Sequence, residues 1–401
     1  MIRLYGCDHI YCVGAEHPDR SLFDCLMPTP HGTTYNSYII AGEDKTALID
    51  AVDPDKTDVL MMNLREAGVA KLDYLVCLHT EQDHAGSIAR VRQEWPDMRV
   101  VATAKVRDLL ATHVHIPPSA VDVVAEGDVL DLGGRSLRFM PIPFAHWPDN
   151  TMAYCEAENV LFSSDLFGSH FALSGARDVS DEVLMEAARS YYSEIMMPFR
   201  TQIARYTARV RELSPRIIAP AHGPVWTEPY RILDAYGQWT SGRLARMVTI
   251  PYVSMHGSTK VMVDRLAAAL EAHGVRVRLH DLGAHPDSLT VETGHMIYDL
   301  ADSAAIVLAT PTVLVGPHPA AVYAAVTTTA MKPPARLFGM IGSYGWGSRA
   351  AETIAALTAD LKAEKMDPLL VKGLPTEEDL ARIDAYASDL ANKLDAMEIS
   401  G

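Results

Sequence analysis

Short apolar stretches alternate with Gly, Pro and Asp turns through the first part of the chain, a pattern typical of β-strands. Apolar side chains at helical spacing predict helices over 57–67 and 104–110. This part is therefore expected to be a mixed α/β domain. The predicted strands lie at residues 10–13, 34–40, 46–50, 74–78, 99–102, 136–140, 159–162 and 217–220.

The hydrophobic pattern changes after a helical connector predicted at 224–244, because strands and helices then alternate regularly. Pro251 is expected to interrupt the first of these strands, since proline lacks an N–H donor. Right-handed crossovers would make a doubly wound, five-stranded parallel sheet. We therefore predict an α/β protein of two domains, residues 1–245 and 246–401. The strands of the second domain are predicted at 247–253, 275–279, 304–309, 337–341 and 368–371.

The segment after the predicted strand 74–78 places four possible metal ligands within six residues: His79, Glu81, Asp83 and His84. His79 and Glu81 alternate along an extended segment and so share a side, whereas Asp83 and His84 come after the turn. The second pair could serve a neighbouring ion, so the pattern favours two metals over one. The alternative is a polar loop with two surface histidines, because short motifs give false matches.

Three other strand ends also present a possible ligand. His146 comes shortly after strand 136–140, Asp165 after 159–162 and His222 after 217–220. A single histidine is more often structural, and Asp165 could simply cap a turn, but recurrence at four strand ends is poorly explained in that way. Imidazole with carboxylate suits iron, manganese or zinc, and extra carboxylate favours the harder ion.

The overall charge and the cysteines narrow the possible partners. A formal net charge of -16 argues against nucleic acid or an anionic membrane as a partner. The start of the chain has no signal-peptide pattern and no later stretch is long and apolar enough to span a bilayer, so we predict a cytoplasmic protein.

The five cysteines include no Cys-x-x-Cys pair, which excludes a fused rubredoxin-like or iron–sulfur module. Any electrons that the protein uses must then come from elsewhere.

The second domain carries a candidate phosphate site between its first strand and first helix, although a simple capped helix is the alternative. The residues are Ser254, Met255, His256, Gly257, Ser258 and Thr259. Two loops at later strand ends combine small residues with aromatic side chains, which suits a flat ring system. Their candidate residues are Pro311, Thr312, Val313 and Gly316 in the first loop, and Ser343, Tyr344, Gly345, Trp346 and Gly347 in the second.

Over essentially its whole length the sequence resembles the flavodiiron proteins, also called A-type flavoproteins. The resemblance implies a metallo-β-lactamase-like αββα domain followed by a flavodoxin-like domain. Glu81, where zinc hydrolases of this fold usually have histidine, is its most diagnostic residue. The matching segments are Gly32-Thr33-Thr34-Tyr35-Asn36, His79-x-Glu81-x-Asp83-His84, His146-Trp147-Pro148-Asp149, Leu161 to His170, Tyr191-Tyr192 and Ala219-Pro220-Ala221-His222-Gly223-Pro224.

The resemblance also implies the cofactors and their ligands. Two Fe ions would be bound, one by His79, Glu81 and His146 and the other by Asp83, His84 and His222, with Asp165 as the bridge. In some relatives the histidine that matches His84 turns away from its iron, so the resemblance leaves open whether His84 binds iron. His170, Tyr191 and Tyr192 are the implied catalytic side chains, with Trp147 and Asp149 beside them. FMN would bind the flavodoxin-like domain, whose loop at Val313 lacks the asparagine and the aromatic residue of many relatives.

By resemblance, the protein is expected to reduce dioxygen to water, nitric oxide to nitrous oxide, or both. Electrons would pass through FMN from an external donor such as rubredoxin or reduced coenzyme F420, a deazaflavin. A head-to-tail homodimer or a dimer of dimers is expected, and the preferred gas and the donor stay open. The alternatives are a zinc-dependent hydrolase with an appended flavodoxin-like domain, and an electron carrier or gas sensor without turnover.

Overall fold

The computed structural model describes residues 2–173, 179–285 and 288–397. Its contacts divide the chain into two compact units, the first ending at Gly237 and the second beginning at Gln238. Two short earlier segments, Asp24–Pro28 and Ser193–Pro198, belong to the second unit. No helix among these described residues is both long and apolar enough to cross a membrane.

The first unit is built on two sheets whose apolar faces form one core. Ile40 and Val76 from one sheet, and Phe139 and Phe162 from the other, belong to the same buried cluster. In spatial order, the larger sheet contains Ile2–Arg3, Ile10–Cys12, Tyr38–Ala41, Thr46–Ile49, Tyr74–Val76, Arg99–Thr103 and Val121–Val124. The smaller sheet contains Val129–Asp131, Ser136–Pro141, Thr151–Cys155, Val160–Ser164 and Ile217–Pro220.

Helices connect these strands. The helical connector predicted at 224–244 forms over a shorter range, Pro229–Thr240. The predicted helix 57–67 forms as Thr57–Glu66, and the predicted helix 104–110 extends as Ala104–His113. A π-helical turn, Tyr192–Met196, follows the helix that ends at Tyr191. The other helices are Gln82–Ala85, Ile88–Glu94, Asp181–Tyr191, Arg200–Leu213 and Pro229–Thr240.

The prediction of a single strand over 34–40 is wrong, because the structure contains two strands there. Thr33–Tyr35 pairs with Ala15–His17, whereas Tyr38–Ala41 joins the larger sheet. Asn36 separates them, because its side-chain amide donates hydrogen bonds of 2.9 Å to the carbonyl oxygens of Pro220 and Gly223. This anchors the loop that carries His222 to the first part of the chain.

The second unit is a doubly wound parallel sheet of the flavodoxin type. Its strands follow the order Arg276–Asp281, Ala245–Tyr252, Ser303–Val313 and Leu337–Tyr344, and then Leu369–Lys372 with Glu364–Lys365. The second strand along the chain therefore lies at the edge, as in the 2-1-3-4-5 order of flavodoxin-like sheets. Its helices are Ser258–Ala272, Ser288–Leu300, Pro319–Met331, Ala350–Leu357 and Glu377–Asp395. The α/β fold class predicted from the sequence is confirmed.

The expectation that Pro251 interrupts the first strand of this sheet is wrong. The strand Ala245–Tyr252 runs through Pro251, which lies opposite His280 on the neighbouring strand. Its neighbours Ile250 and Tyr252 keep the register, so the missing N–H removes one donor without ending the ladder.

Candidate metal centre and flavin groove

The structure brings all seven sequence-predicted metal ligands together at the strand ends of the first unit. Within each of three overlapping groups, the possible ligand atoms all lie within 4.8 Å of one another. Each group combines imidazole with carboxylate. The groups are His79 with Glu81 and His146, His79 with His84 and Asp165, and Asp83 with His84 and His222.

Asp165 lies at the centre of the cluster and presents one oxygen to each side. Its Oδ1 is 3.0 Å from Nε2 of His84 and 3.5 Å from Nε2 of His222. Its Oδ2 is 3.2 Å from Nε2 of His146 and 3.4 Å from Nε2 of His79. A carboxylate that faces two separate pairs of imidazoles in this way is arranged to bridge two cations.

One further carboxylate completes each side of the cluster. Glu81 Oε2 is 3.2 Å from Nε2 of His79 and 3.3 Å from Nε2 of His146. Asp83 Oδ2 is 3.2 Å from Nε2 of His222. Nε2 of His84 and Oδ1 of Asp83 are buried and form no hydrogen bond of normal geometry. Buried, unsatisfied ligand atoms in a set of four imidazoles and three carboxylates fit a pair of metal ions.

Two of the imidazoles donate a hydrogen bond from Nδ1. Nδ1 of His79 donates to Oδ2 of Asp149 at 3.1 Å, and this oxygen also accepts from the N–H and hydroxyl of Thr80. Nδ1 of His222 donates to the carbonyl oxygen of Thr34 at 2.7 Å. These bonds place the proton on Nδ1 and leave Nε2 as the ligand atom.

The electrostatics of the cluster favour cations. Burial alone lowers the pKa of each imidazole, but Asp165 and its neighbouring carboxylates raise the pKa of His79 and His222 to about 9 and that of His146 to about 10. Burial would raise the pKa of Asp165, yet the surrounding histidines hold it well below its usual value. Metal binding must therefore release protons from these imidazoles.

The cluster is more open on one side than on the other. The side chains of His146 and Glu81 keep 18% and 16% of their surface exposed, whereas Asp83, His84 and His222 are buried. Within the first unit, the group that contains Glu81 is therefore the more accessible of the two.

Of the three predicted catalytic side chains, two reach the cluster. The hydroxyl of Tyr191 lies 3.4 Å from Oδ1 of Asp165, and the rings of Tyr191 and His170 are 5.0 Å apart. Tyr192 instead packs its ring against Tyr236, with centroids 5.4 Å apart. Trp147, also predicted near the site, has its ring 5.1 Å from that of His79.

Sequence reasoning missed several residues that contact the cluster. Asn150 donates from Nδ2 to Oδ2 of Asp165 at 2.7 Å, and Oδ2 of Asp50 lies 3.4 Å from Nδ1 of His84. Asp50 could have been found, because it ends a predicted strand as the other ligands do. Thr34 accepts from His222 through its backbone oxygen and from the N–H of Gly223 through its hydroxyl, although the sequence matched it only as part of the segment Gly32 to Asn36.

The second unit contains a groove of about 200 Å³ at the carboxyl ends of its parallel strands. All three loops predicted for flavin binding line the groove, together with Gly373, which was not predicted. Ser254, Gly257, Val313, Gly316, Trp346 and Gly347 were also predicted, and they lie in the same loops without lining the groove. The lining residues are Met255, His256, Ser258, Thr259, Pro311, Thr312, Ser343, Tyr344, Gly345 and Gly373.

The chemistry of this groove fits a flavin phosphate and ring. Helix Ser258–Ala272 begins at the groove after Gly257, whose φ of +89° favours glycine. Its first backbone N–H groups attract an anion. Thr259 and Ser343 add hydroxyls whose oxygens lie 2.9 Å apart, and Tyr344 adds an aromatic face.

Comparisons with known proteins agree with this arrangement. Residues 33–223 match the model of the ODP family β-lactamase. The chain is 33% identical over 399 residues to the nitric oxide reductase of Moorella thermoacetica, with 96% of this chain and 98% of that protein covered. It is 34% identical over 302 residues to the coenzyme F420H(2) oxidase of Methanothermobacter marburgensis, with 73% of each covered.

A solved structure extends the likeness to the whole fold. The rubredoxin oxygen:oxidoreductase of Desulfovibrio gigas superposes with a TM-score of 0.90 at 27% identity, with 98% of both chains covered. This confirms the family inferred from the sequence motifs. The full-length likeness, together with the two carboxylate-rich halves of the cluster, assigns the chain to the flavodiiron protein family of oxidoreductases.

Proposed function

We propose that the protein reduces dioxygen to water, nitric oxide to nitrous oxide, or both. In this proposal residues 1–245 form the diiron domain and residues 246–401 form the FMN domain. The relatives named above act on these gases or oxidise coenzyme F420H(2), which supports a reductase of this kind. The observation that carries the proposal is Asp165, which presents one carboxylate oxygen to each half of the cluster.

The ligand set divides between two irons. His79, Glu81 and His146 would hold one iron, and Asp83, His84 and His222 the other, with Asp165 between them. Three carboxylates among seven ligands favour iron over zinc, because the harder oxygen ligands suit iron better than an all-imidazole set would. When bound, the two irons would supply the electrons for the reduction of a diatomic gas.

Tyr191 and His170 offer complementary groups beside the cluster. Burial raises the pKa of Tyr191 well above its usual value, so its hydroxyl stays protonated and donates towards Asp165. Burial also lowers the pKa of His170 well below its usual value, so its ring is neutral. Nδ1 of His170 lies 2.9 Å from Oγ1 of Thr33, and its Nε2 is buried without a partner. Tyr191 therefore places a neutral hydroxyl beside the bridging carboxylate, and His170 places a neutral ring against that of Tyr191.

The groove of the second unit would hold FMN, whose chemistry would be electron transfer from an external donor. Its phosphate would meet the start of helix Ser258–Ala272, and its ring would lie among the loops that contain Thr312 and Tyr344. Rubredoxin and reduced coenzyme F420 are both candidate donors, since relatives are named for each. A cytoplasmic location, predicted from the sequence, agrees with either donor.

The apolar rim of the groove supports a head-to-tail homodimer or a dimer of dimers. Leu314 and Trp346 are 92% and 79% exposed, and Leu374 beside Gly373 is also exposed. Clustered exposed apolar side chains mark interaction surfaces. In a head-to-tail dimer this rim would be covered by the first unit of the second copy.

Metal, flavin and steady-state analysis test the proposal together. Protein purified without oxygen should hold about two irons and one FMN per chain, and should consume dioxygen or nitric oxide with a suitable donor. Stoichiometric zinc without iron would favour a hydrolase and would contradict the proposal.

A further inference from the structure

Asp50 is a buried acidic residue that the ligand set above does not use. It follows the strand Thr46–Ile49 and is only 2% exposed. Its φ of +51° places the backbone in the left-handed region, which aspartate tolerates better than most residues. The chain turns sharply at this point, and the turn aims the carboxylate back towards the metal cluster.

Both carboxylate oxygens of Asp50 meet segments that carry ligands. Oδ1 accepts a hydrogen bond of 2.7 Å from the backbone N–H of Leu78, the residue before His79. Oδ2 lies 3.4 Å from Nδ1 of His84. The adjacent N–H of Ala51 donates to the carbonyl oxygen of His84 at 2.7 Å. Asp50 and Ala51 therefore hold both the ring and the backbone of His84.

The Nδ1 contact of His84 is longer than those of the two other imidazoles that have a partner on Nδ1. The corresponding Nδ1 contacts are 3.1 Å for His79 and 2.7 Å for His222, against 3.4 Å for His84. Among the three imidazoles with a partner on Nδ1, His84 therefore has the longest contact.

We propose that Asp50 is the positioning residue that makes His84 an iron ligand. A carboxylate only accepts hydrogen bonds, so the contact with Asp50 places the proton of the His84 ring on Nδ1. Nε2 then keeps its lone pair and faces Asp165, 3.0 Å away. Without this contact, the ring is free to turn or to carry its proton on Nε2, and the second iron loses a ligand. The inference rests on the diiron centre proposed above.

Replacement of Asp50 by asparagine separates this role from simple packing. Asparagine has nearly the same shape but offers one acceptor oxygen and one NH2 donor group. If its oxygen keeps the bond with Leu78, its NH2 faces Nδ1 of His84. That nitrogen must then accept, which moves the ring proton to Nε2 and blocks it as a ligand.

The experiment measures iron in the full-length, FMN-containing protein. Wild type, Asp50→Asn, His84→Ala and the double variant are loaded with ferrous iron and dialysed against graded chelator. Asp50→Asn should weaken the second iron about 10- to 100-fold, the usual effect of losing a group that orients a ligand. The first iron should remain, and oxidation should then give the EPR signal of an isolated ferric ion instead of a coupled pair.

Two comparisons make the result specific. In the His84→Ala background, Asp50→Asn should have little further effect, and Asp149→Asn should instead weaken the iron held by His79. The inference is overturned if Asp50→Asn keeps both irons at wild-type affinity, or if it weakens iron equally with and without His84. A wild type that does not bind two irons would contradict the proposed function instead.

A spectroscopic measurement on the unmutated chain covers the case in which Asp50→Asn does not fold. Nitrogen-15 NMR of histidine-labelled, zinc-loaded protein reports the tautomer of His84. A proton on Nδ1 with metal on Nε2 is expected, and the reverse arrangement would overturn the inference.

Discussion

Protein stripped of metal should lose stability as the pH rises from about 7 to about 10. Burial alone lowers the pKa of His79 and His146, but neighbouring carboxylates raise these values to about 9 and about 10. A folded-state pKa above the unfolded value of about 6.5 means that the folded protein holds the proton more tightly. This stabilisation is complete below about pH 6.5 and is lost as the pH passes through the folded-state values.

The expected loss follows from the size of these shifts. One pKa unit corresponds to about 1.4 kcal/mol, so the shift of His79 alone is worth on the order of 3 kcal/mol. His146 and His222 share the same carboxylates, so the contributions do not add fully. Asp165 has a lowered pKa, and its contribution is lost only in acid, well below the window of this experiment.

Urea unfolding of the chelator-treated protein at about pH 6.5, 8 and 9.5 measures this loss directly. The iron-loaded protein is the control, because metal replaces the ring protons and should remove most of the pH dependence. A free energy of unfolding that stays constant or increases across this range in the metal-free protein would show that folding does not raise the pKa of these imidazoles.

The remaining predictions test individual parts of the site. Glu81→His should shift the metal content towards zinc and abolish reductase activity, whereas iron content and turnover at wild-type levels would contradict the hardness argument. Ser258→Asp should expel FMN and leave the irons bound, because it places a negative charge at the start of the helix. The control Val261→Asp, on the exposed face of the same helix, should retain flavin. Loss of iron in Ser258→Asp would show that the domains are assigned wrongly. Tyr191→Phe should lower turnover about tenfold with both irons retained, more than Tyr192→Phe does, and equal effects would contradict the contact with Asp165. A heterodimer of one subunit without FMN and one without iron should be active if electrons cross between copies, and an inactive, verified heterodimer would refute the head-to-tail arrangement.

The parts of the fold that the sequence predicted are those governed by local hydrophobic pattern. The strand before His79 and the helix from Thr57 are apolar in the right period, so their positions follow from the residues themselves. The parallel sheet of the second unit was predictable for the same reason.

The errors arose where a distant contact decides the local structure. Asn36 divides one apparent strand in two because its amide bonds to Pro220 and Gly223, more than 180 residues away. Pro251 stays within a central strand because its neighbours hold the register. Neither effect is visible in a local pattern.

In the candidate site, too, residues in a local pattern were predictable and residues placed by distant contacts were not. The motif from His79 to His84 was predictable because strand ends collect at one edge of a sheet. The orienting groups were harder to find, since Thr34 orients His222 through its backbone oxygen and Asn150 acts through a side chain with no distinctive spacing. Tyr192 was implied by the family resemblance together with Tyr191, but its ring packs against Tyr236.

Single-turnover kinetics show directly whether the protein reduces dioxygen or nitric oxide. Iron-loaded, FMN-containing protein is fully reduced without oxygen and mixed rapidly with dioxygen or nitric oxide, while flavin absorbance and product are measured. Complete reoxidation is expected, with water and little peroxide formed from dioxygen, or nitrous oxide formed from nitric oxide. A stable gas adduct without product, or flavin that stays reduced with both gases, would contradict it.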